Sequence, residues 1–279
     1  MAKPTIIPGL DARTPLRHAA RELLTARLAD LRTFEDGARS LEVEKIHDLR
    51  VATRRLRAGL EVLCKAPSDE VRSLGGALGA VRDLQVELEW LDTRTSDPQE
   101  RERVGRALRG KLTRAREQLQ RALARWSRRD VSRVVRMFET ARKSGRLGGD
   151  WGASRLKNDL SALKPKLKSL RGVITPDETH ALRKKVKKLK YEAELFQEAY
   201  PRTVKKWTSA LSALQTRLGD MHDADLRCSW LDHNRAASPR LRGLASKERA
   251  ELTVQLVREL KIWHQQDRLG TLRRCLWDR

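Results

Sequence analysis

Two stretches of this chain set a histidine ahead of a ladder of cations. The first reads His47-Asp-Leu-Arg50-Val-Ala-Thr-Arg54-Arg55-Leu-Arg57; the second, 133 residues later, reads His180-Ala-Leu-Arg183-Lys184-Lys-Val-Lys187-Lys188-Leu-Lys190. At about 100° per residue, His47, Arg50, Arg54 and Arg57 share an arc of about 80°, and Leu49, Ala52, Leu56, Leu60 and Leu63 take the opposite side. Such a row offers guanidinium, ammonium and imidazole donors to anionic oxygens along about 15 Å, enough for several consecutive phosphates. Each histidine lies in line with its basic stripe and away from its helix's leucines, so a phosphate there favours the protonated ring. Tyr191, next to the second stripe, either adds a hydroxyl donor or simply packs.

An ordinary solvated face is the commoner reading of any one basic helix. Two observations weigh against it. No acidic residue lies between Arg50 and Arg57, so like charges at i,i+3 and i,i+4 cost about 0.2 to 0.5 kcal/mol each until an anion relieves them. The second stripe keeps the same spacing and is denser still.

A second pair of motifs follows in the same order. Leu78-Gly79-Ala-Val-Arg82-Asp83 is matched by Leu218-Gly219-Asp-Met-His222-Asp223. A glycine in mid-helix costs about 1 kcal/mol relative to alanine and usually signals another backbone packed close, which predicts helix crossings at Gly79 and Gly219. Arg82 and His222 then join the anion-binding set, and Asp83 and Asp223 either hold basic side chains in position across the crossing or form purely structural ion pairs there. These two aspartates are not assigned a catalytic role.

The elements that must position these residues are all helical. Proline and glycine at Pro4, Pro8, Gly9 and Pro15 mark residues 1–15 as an extended lead-in. Helical periodicity then predicts helices over 16–37, through the His47–Arg57 stretch to an end near 67, over 69–91 behind a cap at Ser68 or Asp69, over 99–126 and over 131–142. Glu100, Glu102 and Glu117 among many arginines make the 99–126 helix a solvated one. The glycine-rich stretch 144–152 separates a first half, 16–143, from a second, 153–279. The second half repeats the plan with a helix over 154–170, a turn at Pro176, the His180 helix running to 200, another from 201 closing at Pro239 and Gly243, and one or two more over 244–279 that carry Trp263 and Trp277. With no strand-period segment, the expected fold class is all-α, as two pseudo-symmetric four-helix-type bundles from an internal duplication.

Composition narrows the partner. The 279 residues carry a formal net charge of +23, far beyond what solubility needs, which implies nucleic acid, an acidic membrane surface or an inorganic phosphate polymer. Cys64, Cys228 and Cys275 are odd in number and widely spaced, against both a disulfide framework and a zinc site, and for a reducing cytoplasm. No signal peptide or bilayer-spanning segment is read from the sequence, so a soluble protein is expected, with no metal, no cofactor and no membrane partner.

Three functional classes remain. His47-Asp48 and His222-Asp223 are similar to the His-Asp pairs of metal-dependent phosphohydrolases, but the position matching Asp48 is Ala181 and the metal would sit among arginines. Glu42-Val-Glu44-Lys45 resembles the start of a triphosphate tunnel motif with its lysine one place early, in a helical context. Nucleic-acid binding shares the electrostatics, yet aromatics are only 4% and the tryptophans are scattered rather than interleaved with the stripe as stacking platforms.

The stripe and the Leu-Gly motif together resemble the CHAD family, the conserved histidine α-helical domain, along nearly the whole chain. The resemblance implies a helical, internally duplicated, non-enzymatic fold that binds inorganic polyphosphate, often on polyphosphate granules. The expected binding residues are His47, Arg50, Arg54, Arg55, Arg57, Arg82, His180, Arg183, Lys184, Lys187, Lys188, Lys190, Tyr191 and His222, on two stripes facing one groove. Weak non-specific binding of nucleic acid is the expected secondary activity. The second stripe departs from the family in using lysines, which lack arginine's bidentate fork.

Overall fold

The computed structural model describes residues 3–65, 69–126, 131–141, 144–169 and 175–274. Among them every regular element is a helix, and the chain forms two compact units, Met1–Leu147 and Gly148–Arg279, divided within the glycine-rich stretch. Among the described residues, no helix is long and apolar enough to cross a membrane. Ser68, Cys275 and Trp277, and the expected helix ends at Pro67, Arg142 and Leu170, lie outside the described residues.

In the first unit, Leu16, Ala19, Ala20, Leu23, Leu24, Leu28 and Leu31 form the buried stripe of α1 (Leu16–Thr33), which a turn separates from α2 (Glu35–Arg39). The lead-in is tied down rather than loose. Arg27, 1% exposed, donates to the Thr5 carbonyl at 2.9 Å and to Asp30 at 3.1 Å. The Leu16 amide donates to Gly145 and the Leu147 amide to Thr14, each at 2.9 Å, so both ends of the unit close on each other.

Helix α3 (Val43–Gly59) continues into a wider turn, Leu60–Cys64, and packs between α1 and α4 (Asp69–Arg94). Its leucine face is buried throughout. Helix α5 (Pro98–Arg125) lies on α4, started by Asp97, which accepts from the Gln99 amide at 2.8 Å. Its acids are not all solvated as the sequence suggested, since Glu100 is 7% exposed and shares a face with Val104 and Leu108. The last helix of the unit is short, α6 (Val131–Met137), followed by a tight turn at Phe138–Thr140.

The second unit comprises α7 (Asp150–Ser161), α8 (Lys164–Ser169), α9 (Pro176–Glu194), α10 (Pro201–His233), α11 (Pro239–Gln265) and α12 (Arg268–Arg274). Helix α9 starts on a reciprocal cap: the Glu178 amide donates to the Thr175 hydroxyl and the Thr175 amide to the Glu178 carboxylate. It stops at Glu194, short of the expected residue 200, and turns carry the chain to α10. Pro239 opens α11 behind a Ser238 cap instead of closing the preceding helix, and Gly243 lies inside α11. Helix α10 packs on both α9 and α11, with Trp207 fully buried and its indole N–H donating to the Leu272 carbonyl at 2.8 Å.

Candidate polyanion-binding site

In the first unit the crossing of α3 over α4 positions the cations. Arg50 sends its guanidinium across Gly79 to Asp83, Nη2 to Oδ1 3.2 Å, with only 16% of its side chain exposed. What approaches Gly79 is this guanidinium, 3.4 Å from where a Cβ would stand, and not a neighbouring backbone. The stripe also has more carboxylates than its own segment suggested: Asp83 comes from α4, and Glu61, one turn beyond, pairs with Arg57 at 3.4 Å. A pair as open as Arg50–Asp83, with Asp83 53% exposed, is worth under about 1 kcal/mol. Its effect is to aim the arginine.

Arg54 and Arg82 are half-exposed and Arg57 is exposed, whereas Arg55 is buried at 7% on the flank towards the leucines. His47 is half-buried, and burial pushes its pKa below the usual imidazole value; the charges of Arg82 and Arg50 push the same way, against Asp48 and Glu44. In the resting protein the ring is therefore held towards its neutral form.

The second unit builds a related crossing from α9 and α10. Arg183 approaches Asp223, Nη2 to Oδ1 4.0 Å, with 13% of its side chain exposed. His180 stacks on His222, ring centroids 4.9 Å apart and planes tilted by 32°. Burial lowers the His180 pKa, reinforced by Lys184, Arg183 and Lys187 and opposed by Asp177. Lys184 and Lys188 are exposed and Lys187 half-exposed. Gly219 differs from Gly79, because nothing lies within 4 Å of a Cβ built there. Lys190 and Tyr191 are buried at 7% and 5%, with the Lys190 ammonium 6.0 Å from the Tyr191 ring centroid, so both belong to the packed end of α9.

One group at the edge of this site escaped the sequence reading. Glu192, fully buried, takes Arg155 Nη2 at 3.1 Å and Lys188 Nζ at 3.6 Å, while Arg155 Nε lies 2.8 Å from Asp159. Burial and the neighbouring Asp159 carboxyl push the Glu192 pKa up to about 8, against Arg155 and Lys188. The i,i+4 spacing of Lys188 and Glu192 was the one trace of it in the sequence.

Both crossings thus present arginine beside aspartate, hydrogen-bonded in the first and within ion-pair reach in the second, a histidine held towards neutrality, and further cations beside them. This donor set suits charge-assisted bonds to phosphate oxygens, each stronger than a neutral hydrogen bond.

The comparisons agree with this architecture. The CHAD domain model matches residues 22–232. The crystal structure of the CHAD domain from the plant Ricinus communis superposes with a TM-score of 0.69 at 20% identity, covering 100% of this chain and 96% of that one. PptA from Streptomyces chartreusis gives a TM-score of 0.59 at 15% identity, over 95% of this chain and 100% of that one. At these identities the two structures establish a shared all-α fold. No curated protein matches the chain. With its motifs, its fold and most of its length matched, the chain belongs to the CHAD domain family.

Proposed function

We propose that the protein binds inorganic polyphosphate without hydrolysing it, each unit through its own basic helical face. The observation that carries this reading is the paired crossing, Arg50 on Asp83 and Arg183 on Asp223, each beside a histidine whose pKa is depressed. An arginine already oriented loses less entropy on meeting a phosphate, and a histidine short of its proton can take one up when negative charge arrives. The surplus of positive charge supplies long-range attraction, and the repeat of phosphates along the polymer supplies many weak contacts. Association with polyphosphate granules follows from the same chemistry.

The test is a competition titration at near-physiological salt, with labelled long-chain polyphosphate displaced by unlabelled polyphosphate or duplex DNA and free phosphate followed throughout. Polyphosphate should compete far better per phosphate, with none released. Equal competition by DNA would reduce the stripes to a generic polyanion surface. Neutralising Arg50, Arg54, Arg183 and Lys187 together should remove most of the affinity; unchanged binding would place the site elsewhere.

A further inference from the structure

With none of the stripe residues in its lining, the second unit holds a cavity of about 530 Å³ between the α7–α8 turn and the α11–α12 corner. This volume is in the range of small-molecule sites. Its walls are of two kinds. Leu160, Leu260 and Leu269 give it an apolar floor, and Lys164, Arg273 and Arg274 stand at its rim.

The one carboxylate among the described lining residues is already engaged. Asp267, in the left-handed region at φ 42°, accepts from the Gly270 amide at 3.2 Å at the start of α12 and pairs with Arg274 at 3.4 Å. Arg274 also donates to the Thr271 hydroxyl at 3.1 Å. Among the described residues, Lys164 and Arg273, both exposed, have no carboxylate partner.

We propose that this cavity binds a small amphiphilic anion, an apolar body carrying one carboxylate, sulfonate or phosphate. The body packs on the three leucines, and the charged group sits between Lys164 and Arg273. A polyphosphate chain has no apolar body to fill such a floor, so this site is distinct from the stripes in the chemistry it selects. Apolar walls with a few placed charges fix orientation as well as affinity.

The full chain is titrated with anilinonaphthalenesulfonate, whose fluorescence rises in an apolar site, and in parallel with the uncharged N-phenylnaphthylamine. The expected result is one saturable sulfonate site per chain and at least about tenfold weaker binding of the neutral compound, the contribution of charge-assisted contacts. Lys164→Gln with Arg273→Gln should weaken the sulfonate about tenfold and leave the neutral compound unchanged. Leu269→Trp should fill the cavity and abolish both signals; Ser161→Trp, at an exposed position of the lining, does the same without touching the core. Unfolding midpoints confirm that each variant is folded, and the stripe variant lacking Arg50, Arg54, Arg183 and Lys187 should bind the sulfonate like the parent. Equal binding of the charged and neutral compounds, titrations indifferent to both tryptophans, or loss of the sulfonate in the stripe variant would each overturn the proposal.

Discussion

The guanidinium of Arg50 rests against Gly79, where a methyl group would stand 3.4 Å from Nε, and its end reaches Asp83 at 3.2 Å. Gly219 occupies the corresponding motif with open space around it. The two glycines should therefore respond differently. Gly219→Ala is expected to stabilise the protein by about 0.5–1 kcal/mol, the helix-propensity gain alone. Gly79→Ala should gain less, since its methyl meets the guanidinium, and Gly79→Val should push Arg50 off Asp83 and weaken polyphosphate binding. Denaturant midpoints of the two alanine variants decide the point; equal gains would mean that Arg50 yields freely.

Polyphosphate binding should be linked to proton uptake. Burial and neighbouring cations hold His47 and His180 below the usual imidazole pKa. A bound polyanion acts the other way, so each ring has a higher pKa in the complex than in the free protein. Affinity then rises as pH falls through the bound-state value and levels off once the free rings protonate as well. Between about pH 8 and pH 5.5 the affinity should rise severalfold, a tenfold gain corresponding to about one pKa unit of difference. Calorimetry in buffers of different ionisation enthalpy counts the protons. The His47→Gln/His180→Gln variant should show a flat profile, and a parental slope in that variant would assign the linkage to other groups.

The buried carboxyl of Glu192 gives a pH effect of the same sign, on stability instead of binding. Its folded pKa, pushed up to about 8, lies above the value of an exposed glutamate. The folded state therefore holds this proton after the unfolded chain has released it. The contribution of the group to stability is most favourable below pH 4.5 and is lost progressively as pH rises towards 8. Glu192→Gln keeps a donor for Asp159 without the titration. This variant is expected to be more stable than the parent by about 1–3 kcal/mol at pH 8, with the difference shrinking on acidification. A gap that grows towards low pH would contradict the assignment.

What could be read along the chain depended on where each partner lay. The leucine face and the basic face of α3 are set by a single helical period, and Leu49, Leu56 and Leu60 are buried as their spacing requires. The aspartate that fixes Arg50 lies 33 residues away on another helix, so a search for acids between Arg50 and Arg57 could not pair the two. The contact between His180 and His222 depends in the same way on how α9 packs against α10. Glu100 looked solvated because its charged neighbours outnumber the apolar ones in sequence, while its angle on α5 places it with Val104 and Leu108. Helix ends were the least legible: α9 stops at Glu194 in a turn that contains neither proline nor glycine before Pro201.

The far ends of the two stripes should separate binding from packing. Arg57 and Lys190 correspond in the repeated sequence, yet the Arg57 side chain is 45% exposed and Lys190 is 7% exposed. An exposed cation at the polymer contributes one released counterion, a buried one none. Arg57→Gln should reduce the slope of log affinity against log salt by about 0.7 and leave stability within about 0.5 kcal/mol of the parent, as surface substitutions do. Lys190→Gln should leave that slope unchanged and shift the unfolding midpoint instead, because its stem packs beside Tyr191 at the buried end of α9. Salt series at four or more ionic strengths on both variants make the comparison. Equal slope losses would put the Lys190 ammonium within reach of the polymer and sink the distinction between the two ends.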